Sequence, residues 1–148
     1  MPTPSTRRKN RLAVQFAVSA RGLPSAASLL KWARAGGSGL KEVTLRIVGE
    51  RESRALNRTF RRQNYPTNVL SFSYGKERGD VVLCHPVIAR EARRQGKALA
   101  AHYAHLVVHG MLHLRGHVHE RAADAVRMES AEIRILGRFG IRNPYTVK

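Results

Sequence analysis

Alternating apolar and polar positions predict four short β-strands within the first 84 residues. Residues 43–48, Val-Thr-Leu-Arg-Ile-Val, alternate and are rich in β-branched side chains, a pattern typical of a half-buried strand. Residues 11–18 alternate in the same way, and residues 79–84 are apolar enough to form a central strand. The remaining strand is expected to follow a turn at Pro66 and to include Phe72.

Helical spacing of apolar residues predicts five helices, which lie mostly in the second half of the chain. The first covers about residues 26–34, with Ser25 as its N-cap and a Gly36-Gly37 pair at its end. The others cover about residues 50–60, 86–94, 97–114 and 122–138. Strands that come early, a hairpin-like middle and late helices predict an α+β fold with a small mixed sheet.

The amino-acid composition limits the classes of protein to which this chain can belong. The chain has 148 residues, of which 43% are hydrophobic and 25% charged, so we expect one globular domain over residues 11–148. No apolar window approaches the roughly 18 residues that a membrane span needs, and a single cysteine, Cys84, fits a reducing compartment. We therefore expect a cytoplasmic protein that has no membrane partner.

The first ten residues are predicted to form a basic tail. Their Arg, Lys, Ser and Thr content is also typical of a transit peptide, and residues 12–18 imitate a short secretory core. Gln15 interrupts that core, and the alternation around it favours a strand, so export is the weaker interpretation.

The charge predicts a polyanionic partner. The chain has 27 Lys+Arg against 10 Asp+Glu, a formal net charge of +17. A GC-rich genome would explain why Arg outnumbers Lys, but it would not explain the shortage of acids. Arginine favours bidentate phosphate contacts, so we expect nucleic-acid binding. A stripe on the predicted second helix is the candidate RNA-binding surface: Arg51, Arg54, Arg58 and Arg62.

Six of the seven histidines lie between positions 102 and 119, which indicates a metal site. His109 and His113 are spaced i, i+4, so their imidazoles can reach one ion from the same helix face. Gly116 is expected to end this helix and turn the chain back, so that a third histidine can approach. Spacing alone does not choose between His117 and His119. Three imidazoles on zinc would leave a fourth position open for chemistry.

Other residues exclude competing chemistries. Gly110 stands where a zinc peptidase of the H-E-x-x-H type has its general base, so peptidase chemistry of that type is unsupported. Ser71 lacks a nearby acid to complete a serine hydrolase triad. We interpret His105 as a supporting or core residue rather than a ligand, and His102 as a surface residue.

The histidine motif resembles a known family. Residues 109–119, His-Gly-Met-Leu-His-Leu-Arg-Gly-His-Val-His, are similar to the H-G-x-L-H-L-x-G-x-D-H signature of the YbeY endoribonucleases, bacterial enzymes of rRNA maturation and ribosome quality control. Residues 66–72, Pro-Thr-Asn-Val-Leu-Ser-Phe, are similar to the family's P-T-D-V-L-S-F segment. Further similarity in residues 56–61, 79–92 and 128–145 extends the resemblance over about residues 43–145.

The resemblance implies a site and a function. It implies one Zn²⁺ per chain with His109, His113 and His119 as ligands, and Arg61 as the catalytic basic residue near the metal. It further implies a zincin-like fold with a four-stranded mixed sheet. The implied activity is hydrolysis of single-stranded RNA in 3′ end maturation of small-subunit (16S) rRNA, with the small ribosomal subunit as partner.

Two positions depart from the family pattern. Val118 and Asn68 stand where the family has aspartates, and both changes remove an acid. These departures support a second hypothesis, a non-catalytic ribosome-associated factor whose metal is structural. A third hypothesis, another metal-dependent hydrolase on the same fold, is disfavoured by Gly110 and by the +17 charge. Whether the nucleophile is water or the RNA 2′-OH stays open.

Overall fold

The computed structural model describes residues 11–75, 77–117 and 121–146, and it has the predicted α+β architecture. Four strands and five helices follow one another within these residues: β1 Arg11–Phe16, α1 Ala26–Gly36, β2 Glu42–Val48, α2 Glu50–Arg61, β3 Val69–Ser73, β4 Arg78–Cys84, α3 His85–Gln95, α4 Leu99–Leu114 and α5 Ala122–Gly137. Every predicted element is present, and most boundaries agree within two residues. The predicted basic tail, residues 1–10, lies outside the described residues.

The four strands form one mixed sheet in the order β1-β2-β4-β3. Strand β1 runs parallel to β2, and β2 runs parallel to β4. Strand β3 pairs antiparallel with β4 through a hairpin in which the Tyr74 N–H donates to the Arg78 carbonyl. The predicted hairpin is therefore confirmed, and it places β3 at one edge of the sheet.

Side chains alternate across the sheet and make two separate cores. On one face, Val81 and Leu83 of β4 pack in the main core with residues of α1, α4 and α5. On the other face, Val82 and Cys84 form a smaller cluster against which Leu56 of α2 packs. Helices α4 and α2 consequently lie on opposite faces of the sheet.

Gly110 lets α4 approach the sheet closely. A Cβ atom at this position would lie 2.7 Å from Val81 Cγ1 and 3.2 Å from Ser71 Oγ. The Ser71 hydroxyl donates to the Gly110 carbonyl at 3.0 Å, which ties the helix to β3. This contact fixes the rotation of α4 about its axis, and so the direction in which its histidines point.

The turn between α3 and α4 explains why α4 begins two residues later than predicted. Gly96 adopts the left-handed conformation (φ 65°) and ends α3, and the Lys97 N–H donates to the Ala92 carbonyl. Residues 97 and 98 therefore belong to the turn, and α4 begins at Leu99 rather than at the predicted Lys97.

No helix in the described part of the chain has both the length and the apolar character that crossing a bilayer requires.

Candidate metal centre

Helix α4 carries a row of four histidines along one face. The ring centroids of His102 and His105, and those of His105 and His109, are 6.2 Å apart, while His109 and His113 are closer, at 4.7 Å. The predicted i, i+4 pair of His109 and His113 is thus brought together. Both side chains are half-buried.

A buried carboxylate on α5 holds two of these histidines. Glu132 is fully buried, its Oε2 accepts from His109 Nδ1 at 2.6 Å, and its Oε1 accepts from His105 Nε2 at 3.0 Å. The Tyr145 hydroxyl also donates to Oε1. We assign the His109 proton to Nδ1 because its partner is a carboxylate, so the lone pair that can bind a metal is on Nε2.

Glu132 stays ionised despite its burial. Desolvation by burial would raise its pKa, but the hydrogen bonds from His105, His109 and Tyr145 outweigh that effect and lower the pKa to about 2. The pKa of Tyr145 is raised, because its hydroxyl is desolvated and donates to this carboxylate. A permanent negative charge therefore sits directly behind His109.

The donor set fits a metal ion. One ligand atom from each of His105, His109 and Glu132 lies within 4.8 Å of the others. Imidazole and carboxylate are both ligands that zinc accepts. The atoms fit two arrangements: an ion held among these three residues, or an ion on the far side of His109, next to His113, with Glu132 as a support.

The C-terminal segment closes the site on one side. A cavity of about 280 Å³ is lined by His109, Met128, Glu129, Glu132 and Tyr145 together with Ala125. A larger cavity of about 1060 Å³ lies between the α3–α4 turn and residues 140–146, and His105 and Tyr145 line it too. The candidate metal centre therefore opens to cavities large enough for parts of a substrate.

His119 and Val118 lie outside the described residues, so the choice between His117 and His119 stays a prediction. The turn that precedes them is present: Gly116 has φ 97°, and the His117 N–H donates back to the Leu112 carbonyl at 3.0 Å. The chain reverses after α4, as the motif predicted.

A second buried network supports the start of α4. His102 Nε2 lies 2.8 Å from Glu91 Oε1, and the Asn68 amide donates to the same carboxylate at 3.1 Å. The surface assignment of His102 was wrong, since the side chain is 4% exposed where α3 covers α4. Burial lowers the pKa of His102 and outweighs the opposing bond from Glu91, so the ring is held neutral.

This network gives Asn68 a physical role. An amide can donate to Glu91, whereas an aspartate at this position would set two carboxylates against each other. Its Oδ1 also accepts from the Val69 N–H at 2.6 Å, which caps the start of β3. The departure at position 68 is therefore compatible with the geometry of this chain.

The candidate RNA-binding arginines lie on α2, on the opposite sheet face from α4. Arg51, Arg54 and Arg58 are exposed, and Arg54 donates to Asn64 Oδ1 at 2.9 Å. Arg62 leaves the helix in the left-handed conformation (φ 58°), so the predicted helical stripe ends at Arg58. Arg61 is the exposed last residue of α2, and its predicted approach to the metal stays a prediction.

Sequence reasoning missed Glu132 and Tyr145. Glu132 carries a signal: it lies at the i+4 position of the apolar stripe formed by Met128, Ala131, Ile135 and Leu136. An acid inside such a stripe is buried and must have partners. Tyr145 carries no such signal, because it belongs to an irregular C-terminal segment.

The sequence comparisons all match proteins with the same description. A family model described as Endoribonuclease YbeY matches residues 20–140. The chain is 53% identical over 140 residues to the Endoribonuclease YbeY of Thiobacillus denitrificans, a match that covers 91% of this chain and 95% of that protein. It is 50% identical to the Endoribonuclease YbeY of Aromatoleum aromaticum, with 90% and 91% covered.

The fold is similar to a solved structure. The solution structure of TM1509 from Thermotoga maritima matches with a TM-score of 0.54 over 86% of this chain and 91% of that one. The sequences are 21% identical, so this likeness concerns the fold.

Proposed function

The chain belongs to the YbeY endoribonuclease family, and from this premise we propose that it is a zinc-dependent endoribonuclease specific for single strands. The observation that carries the proposal is the Glu132–His109 contact at 2.6 Å. A buried, ionised carboxylate behind a histidine is the usual support of a metal-binding imidazole, because it fixes the tautomer and raises the basicity of the ligand.

We place one zinc ion on His109, His113 and His119. Glu132 then supports His109 and is not itself a ligand, because its two oxygens already accept from His105, His109 and Tyr145. The i, i+4 spacing of His109 and His113 and the reversal at Gly116 favour this set. When bound, zinc would supply Lewis acidity, which polarises a phosphoryl oxygen or acidifies a water.

Side chains of the protein itself have the other roles in the proposed reaction. Glu132 stays charged and holds the Nδ1 proton of His109. Arg61 stabilises the negative charge that develops on the phosphorus oxygens, since a guanidinium can donate two parallel hydrogen bonds. Three arginines of α2 and the arginine that follows its last residue hold the RNA backbone: Arg51, Arg54, Arg58 and Arg62.

The biological role that we propose is the one that membership of the YbeY family implies. We propose that the RNA is small-subunit (16S) rRNA, that cleavage contributes to its 3′ end maturation and to ribosome quality control, and that the protein acts in the cytoplasm on the small subunit. The excess of 27 basic over 10 acidic residues supports a polyanionic partner of this kind. We further propose residues 11–148 as one catalytic domain with residues 1–10 as a basic tail.

Cleavage assays with defined oligoribonucleotides test this function. The purified full-length chain should cut a labelled single strand, leave the same sequence intact in a duplex, and lose activity in a chelator. A 2′-deoxy substitution at the cleaved position decides the nucleophile, because it blocks attack by the 2′-OH and leaves attack by water possible. Binding of RNA without cleavage under every metal condition would favour the second hypothesis, a non-catalytic ribosome-associated factor, which Val118 supports.

A further inference from the structure

Two exposed aromatic side chains lie in the last turn of α2 and in the loop that follows it. Phe60 is 62% exposed and Tyr65 is 52% exposed, although large apolar side chains are usually covered in a soluble domain. We call these two residues the α2 aromatic patch. The patch is not part of the histidine row, because α2 and α4 lie on opposite faces of the sheet.

The Phe60 ring and the Tyr65 backbone are each held by a contact. The Phe60 ring meets the Phe72 ring edge to face, with centroids 5.1 Å apart and an angle of 68° between the planes. The fully buried Asn57 donates its amide to the Tyr65 carbonyl at 2.7 Å, which draws the following loop onto α2. A ring that is fixed before binding loses little conformational entropy when it meets a ligand.

Three arginines are sequence neighbours of the patch. Arg58, Arg61 and Arg62 are exposed, and among the residues that the structure describes none of the three forms an ion pair. An aromatic face beside uncompensated guanidinium groups does not suit an apolar protein surface. It suits unpaired bases on a phosphate backbone, since the bases stack on rings and the phosphates pair with arginines.

Edge strand β3 lies between the patch and α4 and contacts both. Ser71 of β3 points to the α4 side, where its hydroxyl donates to the carbonyl of Gly110, the residue after His109. The next residue, Phe72, packs on the α2 side against Phe60. Since β3 is an edge strand, one RNA strand crossing it would reach both surfaces.

We propose that the α2 aromatic patch is a stacking site for unpaired bases flanking the scissile bond of a single-stranded RNA, with Phe60 as its main platform. The proposal rests on the proposed endoribonuclease function and adds to it a surface that recognises single strands. Bases in a duplex are stacked on each other and cannot use the patch, so it contributes to the preference for single strands.

Substitution of Phe60 tests the platform. Phe60→Leu keeps apolar bulk but removes the ring, and Phe60→Tyr keeps the ring. Fluorescence anisotropy with a single-stranded oligoribonucleotide, in chelator so that the RNA stays intact, should show an affinity about fivefold or more weaker for Phe60→Leu and nearly unchanged for Phe60→Tyr. Arg58→Gln is the matched charge control: it should reduce the salt slope of binding by about 0.7, whereas Phe60→Leu leaves the slope unchanged.

A single-stranded oligoribonucleotide with abasic sites distinguishes a loss of base stacking from a structural effect of the Phe60 substitution. The wild type should bind it as weakly as Phe60→Leu binds the complete RNA, and Phe60→Leu should lose no further affinity. Equal binding of complete RNA by wild type and Phe60→Leu overturns the proposal. So does an equal loss on complete and abasic RNA, which would make the patch a protein-docking surface or a packing element.

Two further measurements keep the outcomes distinct. If thermal melts show that Phe60→Leu does not fold, Tyr65→Leu replaces it, with the same expectation of a base-dependent loss of affinity. If the wild-type chain cleaves single-stranded RNA but binds abasic and complete RNA alike, the patch fails and the proposed function stands. If the wild type cleaves no RNA, the proposed function fails.

Discussion

Glu132 of α5 and His109 of α4 are joined by a 2.6 Å contact between Oε2 and Nδ1, in a place where the carboxylate has no exposure to water. The contact holds the imidazole in one tautomer and one orientation. At the proposed zinc site, it would make metal binding depend on a residue 23 positions away on another helix. We therefore expect the stability of the α4–α5 packing and the affinity for the metal to be coupled.

Glu132→Gln should weaken zinc binding by about 10- to 100-fold, because an amide cannot accept from all three donors and carries no charge. Competition with a chromophoric chelator measures the affinity. Glu91→Gln is the matched control, since Glu91 is also a carboxylate held by a buried histidine, His102, yet lies outside the proposed ligand set. Unchanged zinc affinity in Glu132→Gln would contradict the support that we assign to this carboxylate.

The position of the ion can be tested with two histidines of the same row. In the proposed arrangement, His113→Ala removes a ligand and should abolish tight zinc binding, whereas His105→Ala should change the affinity only severalfold. The opposite ranking would place the ion among His105, His109 and Glu132 instead. Elemental analysis after dialysis, together with the chelator competition, distinguishes the two.

Arg61→Ala should lower turnover at saturating RNA by about 10²-fold or more and leave RNA affinity nearly intact, because a contact made in the transition state is lost. Arg58→Ala removes the same charge one turn earlier on α2 and should weaken binding modestly. Single-turnover kinetics with a titration of RNA separates the two effects. Equal defects in affinity alone would make Arg61 another backbone contact.

Gly110→Ala should destabilise the fold by about 1–3 kcal/mol, since the added Cβ meets Val81 and Ser71 and α4 must move away from the sheet. Urea unfolding measures the loss. Gly137→Ala is the control: a Cβ there meets no atom within 4 Å, so the free energy of unfolding should rise by up to about 1 kcal/mol. A Gly110→Ala protein as stable as the wild type would show that the close approach of α4 is unimportant.

The helices could be predicted from the sequence because capping residues and prolines mark where several of them begin. Ser25 accepts from the Ser28 N–H as an N-cap, and Pro86 lies in the first turn of α3. The left-handed end of α2 carried no such signal, because Arg62 occupies a conformation that usually takes glycine. The spacing of the arginines therefore predicts a helical stripe that reaches Arg62, one turn beyond Arg58, where the stripe ends in the structure.

The candidate site was predictable only in part. The spacing of His109 and His113 indicated which side chains meet, since both lie on one helix. The burial of His102 and the carboxylate behind His109 depend on α3 and α5, which reach α4 through tertiary packing that periodicity does not encode. Glu132 could have been found from its place in an apolar stripe.

The most direct test of the account is a titration of zinc into the metal-free, full-length chain while the initial rate of single-stranded RNA cleavage is measured. The proposed zinc-dependent function predicts no cleavage without metal, then a cleavage rate that rises linearly with added zinc up to a break at one zinc per chain, and an inactive His113→Ala protein at every zinc concentration. Cleavage by the metal-free chain, or zinc bound at one equivalent without any cleavage of RNA, would contradict it.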